Sequence, residues 1–178
     1  MGFSIGVDLG QAQDHTALAV VQTVGDKSHL RHLEQLPLGM SYPAVVERVG
    51  RMAALPGARL VVDASGVGRP VTDMLRDAGL SPVSSAITGG KRAIRGPDGF
   101  WRVPKAELVR TVATALESGS LMIARGMPAG DAFLREMKAF GVMIGASGRA
   151  RFEARGQEHD DLVLAVALAL WQPTESTL

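Results

Sequence analysis

A chain of 178 residues that is 46% hydrophobic and 21% charged has the size and composition of one compact domain. Nineteen basic and 18 acidic residues leave a net charge of +1, and the absence of cysteine excludes disulfides, thiolate zinc sites and cysteine nucleophiles together. Any metal must be held by Asp, Glu or His, which suits magnesium or manganese. With no long charge-free apolar run and no basic, apolar leader at its start, the chain reads as cytoplasmic, with no membrane partner.

In chain order, Ser4 to Leu9 and Thr16 to Thr23 are apolar, β-branched runs split by a polar turn at Gln11 to His15, a hairpin pattern. His29 to Leu36 alternates as a third strand. Pro43 to Ala54 places Val45, Val46, Val49 and Met52 at helical spacing. Arg59 to Ala64 predicts a buried strand, Arg69 to Ala78 a helix closed by Gly79, and Pro82 to Ile87 another strand. Glycine and charge mark Thr88 to Phe100 as a long loop. Lys105 to Ser118 is a helix, Leu121 to Ala124 a short strand and Ala129 to Phe140 a helix. Val142 to Ala154 predicts a hairpin turning at Ala146 to Gly148, and His159 to Trp171 an apolar helix. This sequence of elements predicts an α/β fold with a mixed sheet.

Carboxylates stand where these apolar elements end or begin. Asp8 closes the first strand and Asp63 closes Leu60-Val61-Val62-Asp63, the position at which α/β sheets place ligand sites. A turn former or a helix cap would equally explain either one alone. His159-Asp160-Asp161 opens a helix whose next ten residues are all apolar, so the two acids enter the core region at a helix N-terminus, where the dipole favours their ionised form. Capping accounts for one of this pair and poorly for both. Together Asp8, Asp63, Asp160 and Asp161 are the parts of a two-metal phosphodiesterase site, in which carboxylates hold two divalent ions roughly 4 Å apart.

Basic residues cluster locally in an otherwise near-neutral chain. Lys91, Arg92, Arg95, Arg102 and Lys105 oppose the single acid Asp98, and Arg149, Arg151 and Arg155 oppose Glu153. Such segments suit contacts to a phosphate backbone, the alternative being a solvated loop and hairpin. Trp101 suits packing the loop down better than stacking on a base. Asp14 is an ordinary turn residue that would nonetheless be close to a metal site at the ends of the first strands.

The order Gly6-Val7-Asp8-Leu9-Gly10, Asp14-His15-Thr16-Ala17, Val62-Asp63-Ala64-Ser65-Gly66-Val67-Gly68, Val103-Pro104-Lys105 and His159-Asp160-Asp161-Leu162-Val163-Leu164-Ala165 resembles the nuclease domain of viral and prophage large terminases across residues 3–172. The resemblance implies a ribonuclease H-like fold and a magnesium- or manganese-dependent endodeoxyribonuclease that cuts double-stranded DNA during genome packaging in a bacterial host. It implies Asp8, Asp63 and the Asp160–Asp161 pair as the metal ligands, leaving open which of Asp160 and Asp161 binds directly. His159 suits hydrogen bonding to a ligand carboxylate as well as it suits capping the helix from the surface. DNA contacts would come from Lys91, Arg92, Arg95, Arg102, Lys105, Arg149 and Arg151. Large terminases also carry a packaging ATPase, and no Gly-x-x-x-x-Gly-Lys-Ser/Thr loop occurs here. Residues 1–178 are therefore expected to form one nuclease domain that partners an ATPase domain and other packaging components.

Two other classes compete. Asp8-Leu9-Gly10 after a strand also resembles the first phosphate loop of actin-like and sugar-kinase-like phosphotransferases, although the acid pair at Asp160 has no place in that pattern. A non-catalytic DNA-binding module would use the basic clusters alone. Gly66-Val67-Gly68 lacks the third glycine of a dinucleotide-binding loop.

Overall fold

The structure, a computed structural model, describes residues 2–10, 14–66, 68–140, 142–144, 150–152 and 160–173. Three antiparallel strands open the chain: β1 (Gly2–Asp8), β2 (Ala17–Val24) and β3 (Lys27–Gln35). After α1 (Tyr42–Ala53), β4 (Arg59–Asp63) lies parallel to β1, and after α2 (Gly68–Asp77), β5 (Val83–Thr88) lies parallel to β4. Then come β6 (Ile94–Arg95), β7 (Trp101–Pro104), α3 (Lys105–Glu117), β8 (Leu121–Ile123) and α4 (Gly130–Ala139). The mixed sheet runs β6-β7-β5-β4-β1-β2-β3-β8, and a separate hairpin pairs β9 (Val142–Ile144) with β10 (Ala150–Phe152). The last helix is α5 (Asp161–Leu170).

Alternation along the strands sorts side chains onto two apolar layers. Leu18 and Val20 of β2 and Leu60 and Val62 of β4 pack with Val45 and Val49 of α1 and Val71 and Leu75 of α2. Ala17, Ala19 and Val21 of β2 and Val61 of β4 face the other way, onto α3, α4 and α5. At the centre of that second layer, every residue of α5 from Asp161 to Ala169 is buried. A fully buried Val or Leu contributes roughly 1.5–3 kcal/mol, so this helix is a principal source of stability.

Gly6 sets how closely α5 approaches the sheet. A Cβ there would run into the Ala165 carbonyl and stand 2.5 Å from the Ala169 nitrogen. Gly68 does the same for α2, since its Cβ would lie 2.6 Å from the carbonyl oxygen of Asp63. The glycine at 68 is thus a packing requirement beneath Asp63.

The structure departs from expectation on one side of the sheet. The stretch read as loop, Thr88 to Phe100, contains β6, and β7 follows at once, pairing Ile94 with Arg102 and Arg95 with Trp101. Two- and four-residue strands are too short to show a period, and it is pairing of β7 with β5 that makes them strands. Trp101 is buried against Trp171, ring centroids 5.5 Å apart and nearly perpendicular, so it packs as expected. Among the described residues no helix is long and apolar enough to cross a membrane.

Candidate active site

Because β1, β4, β5 and β7 run parallel, Asp8, Asp63, Thr88 and Pro104 all come to the same end of the sheet. The first turn of α5, packed against β1, adds Asp160 and Asp161 there. Asp8, Asp63 and Asp161 are each only 8% exposed, a burial that ionised carboxylates reach only with specific partners or a bound cation.

Electrostatics tie these acids into one group. Burial, then the charges of Asp63, Asp161 and Asp160, push the Asp8 carboxyl well above its usual range, and the Lys105 ammonium pulls it back. Asp63 is pushed up by burial and partly restored by hydrogen bonds. Its Oδ1 accepts from the Ser65 hydroxyl at 2.7 Å and the Ser65 N–H at 3.0 Å, while the Ile87 N–H donates to the Ser65 hydroxyl at 3.1 Å. The turn after β4 therefore fixes this side chain against β5. Asp160 occupies the cap position of α5 without making a side-chain cap bond, so capping does not explain it. It pairs with Lys105.

Lys105 begins α3, where a cation opposes the helix dipole. Its ammonium is held there by Asp160 and lies 5.6 Å from the centroid of the Phe140 ring. The residue expected to contact DNA is also the local counter-ion of the acid group.

Glu136 is the acid that sequence reasoning missed. Its Oε2 accepts from the Val163 N–H at 3.1 Å, and burial, with Asp161 and Asp160 nearby, raises its pKa to about 7. A signal existed. Phe133, Glu136, Met137 and Phe140 lie at i, i+3, i+4 and i+7, one acid within an otherwise apolar stripe.

The basic residues divide. Lys91 and Arg92 are exposed just beyond the end of β5, on the side of the sheet that carries the acids. Arg95 and Arg102 belong to the β6–β7 pair, and Arg102 already spends its charge on Asp98, at 3.1 Å to each carboxylate oxygen. Arg102 and Arg69 hold the Asp98 carboxyl down at about 2. Asp14 is exposed. His159 and Arg149 lie outside the described residues, as does the side chain of Arg151 on β10.

Among the described residues, no three His, Cys, Asp or Glu side chains stand as a ready-made cage around one ion. The donor set nevertheless fits hard divalent cations. It is all oxygen, largely buried and mutually repulsive, and among the described residues Lys105 answers it, so added positive charge relieves it.

A mixed sheet with this strand order, acids at the ends of two adjacent parallel strands and an acid-led buried helix make up a ribonuclease H-like nuclease fold. The chain belongs to the terminase RNaseH-like domain family, whose model matches residues 5–172. It is 27% identical over 175 residues to the large terminase subunit of Thermus phage G20c, covering 96% of this chain and 31% of that protein. The chain thus spans about a third of the curated relatives it matches. The large terminase nuclease of phage G20c with bound magnesium superposes with a TM-score of 0.68 at 25% identity, over 94% of this chain and 79% of that one. The same nuclease with bound cobalt gives the same values.

Proposed function

We propose that this domain is a divalent-metal-dependent endodeoxyribonuclease that cuts double-stranded DNA during viral genome packaging by a two-metal mechanism. The observation that carries this reading is the meeting of buried Asp8, Asp63 and Asp161, with Asp160, at one end of the sheet. Asp8, Asp63 and the Asp160–Asp161 pair would hold two magnesium or manganese ions. Bound ions supply Lewis-acid stabilisation of the charge developing on the phosphoryl and leaving oxygens. The chain's own residues aim the carboxylates and partly offset their mutual repulsion: Ser65 orients Asp63, and Lys105 balances the group. His159 would support the ligands.

The partners in this reading are double-stranded DNA, a packaging ATPase domain and other packaging components, acting in the cytoplasm of a bacterial host. The likeness to large terminase subunits supports it. Plasmid nicking and linearisation are expected with magnesium or manganese and not with calcium, whose looser coordination permits DNA binding while misplacing the reacting groups. Undiminished cutting in excess chelator would overturn the metal-dependent reading.

Lys91 and Arg92, with Lys105, Arg149 and Arg151, are proposed to contact the DNA backbone, and Arg95 and Arg102 to contribute less. Each backbone phosphate contact contributes about 0.9 to the slope of log affinity against log salt. The double variant Lys91→Ala/Arg92→Ala is therefore expected to flatten that slope by roughly 2, and Arg102→Ala by less, since Asp98 already neutralises it. An unchanged slope in the double variant places the loop outside the DNA path.

A further inference from the structure

Helix α5 carries two of the four proposed ligands on its first turn, yet its own cap residue does not secure that turn. Asp160, at the cap, makes no side-chain cap bond and is turned to Lys105. The first N–H groups of a helix need acceptors from elsewhere when the cap fails them, and they are buried here. The acceptor comes from 27 residues upstream, where Glu136 of α4 receives the Val163 N–H at 3.1 Å.

This choice of acceptor is electrostatically awkward. A serine or asparagine at position 160 would cap the helix without adding charge, whereas Glu136 brings a further carboxyl towards Asp160 and Asp161. Helix α4 itself is anchored by buried Phe133 and Met137 on either side of Glu136, so the carboxyl sits on a rigid support. The bond ties α4 to the residue two positions after Asp161.

We propose that Glu136 is a positioning residue: by holding the Val163 amide it sets the orientation of the α5 first turn, and so of Asp160 and Asp161, for metal binding. The inference rests on the metal-dependent nuclease reading above. Groups that orient metal ligands typically change metal affinity about 10–100-fold when removed.

The test separates reach from charge. Glu136→Gln keeps the length and an oxygen acceptor while removing the charge; Glu136→Asp keeps the charge and withdraws the oxygen by one methylene. Magnesium affinity is read from the rise in melting temperature with magnesium concentration, and amide hydrogen exchange reports the Val163 N–H directly. Glu136→Gln is expected to bind magnesium near the parent value with Val163 still protected. Glu136→Asp is expected to lose that protection and bind about 10–100-fold more weakly. Parent-like magnesium affinity in Glu136→Asp overturns the positioning role and leaves Glu136 a fastener of the fold. Equal weakening in both variants also overturns it, because the charge itself would then be acting at the metal. A parent that shows no magnesium-dependent rise overturns the metal-dependent reading and this inference with it, an outcome distinct from a parental rise that Glu136→Asp retains.

Discussion

Asp8→Asn is expected to abolish cleavage while leaving the metal-free domain at least as stable as the parent at pH 7. The substitution preserves shape and removes one charge from a group in which Asp63, Asp161 and Asp160 all oppose ionisation of Asp8. Loss of a group that organises transition-state charge typically costs a factor of about 10²–10³ in rate, and a lost metal ligand should cost at least that. Stability moves the other way. The folded state raises the proton affinity of Asp8, so holding it ionised penalises folding once the pH exceeds the ordinary carboxylate range. The penalty is absent in strong acid and grows as pH rises through and beyond that range. Asp63 and Glu136 are shifted in the same direction, while Glu34 and Asp98, both lowered, add stability that is lost only as the pH falls through their folded values.

The advantage of Asp8→Asn should accordingly vanish at low pH and grow as the pH rises above the ordinary carboxylate range. Each kcal/mol relieved raises Tm by roughly 2–4 °C in a domain of this size. Magnesium should raise the melting temperature of the parent and do so less for the variant. The check is a set of melting curves at several pH values, in chelator and in magnesium. A variant that melts well below the parent in chelator and keeps the full magnesium shift would make Asp8 a structural residue.

Gly6→Ala is expected to be among the most destabilising single changes available in this chain. One methyl group at this position meets the backbone of α5 at Ala165 and Ala169, not the tip of a flexible side chain. Overpacking a dense core by a methylene typically costs 1–3 kcal/mol, and a collision with helix backbone belongs at or above the top of that range, about 3 kcal/mol or more. Cleavage should fall as well, since displacing α5 from β1 separates Asp161 from Asp8, two residues beyond Gly6. Gly2→Ala on the same strand is the control, for its Cβ would have nothing within 4 Å. Urea midpoints decide the matter: a Gly6→Ala midpoint matching that of Gly2→Ala would mean that α5 does not lie against β1 as closely as described.

How much was legible in advance depended on the range of the interaction that decides each feature. The buried strand at Leu60 to Asp63 and the helices carrying Val45 and Val49 or Leu108 and Val112 announce themselves through local period and end signals. The four acids could be singled out because each ends or begins an apolar run. Strands β6 and β7 could not, because no period fits into two or four residues and their identity comes from a neighbour, β5. Lys105 stands out in the sequence as one of a basic cluster, but its pairing with Asp160 spans 55 positions and is invisible to local reading.

The sequence by itself determined the longer elements and which carboxylates stand at the ends of apolar runs, since apolar periodicity and the placement of charge at its breaks are properties of short segments. Only the tertiary structure decided which groups share one electrostatic environment. Parallel pairing of β1 with β4 sets Asp8 beside Asp63, the glycine contact at Gly6 brings α5 close enough to add Asp161, and α4 delivers Glu136 to a helix start far along the chain. Burial and proximity shift the affinity of a carboxyl for protons and metals, and both quantities exist only after distant segments have packed.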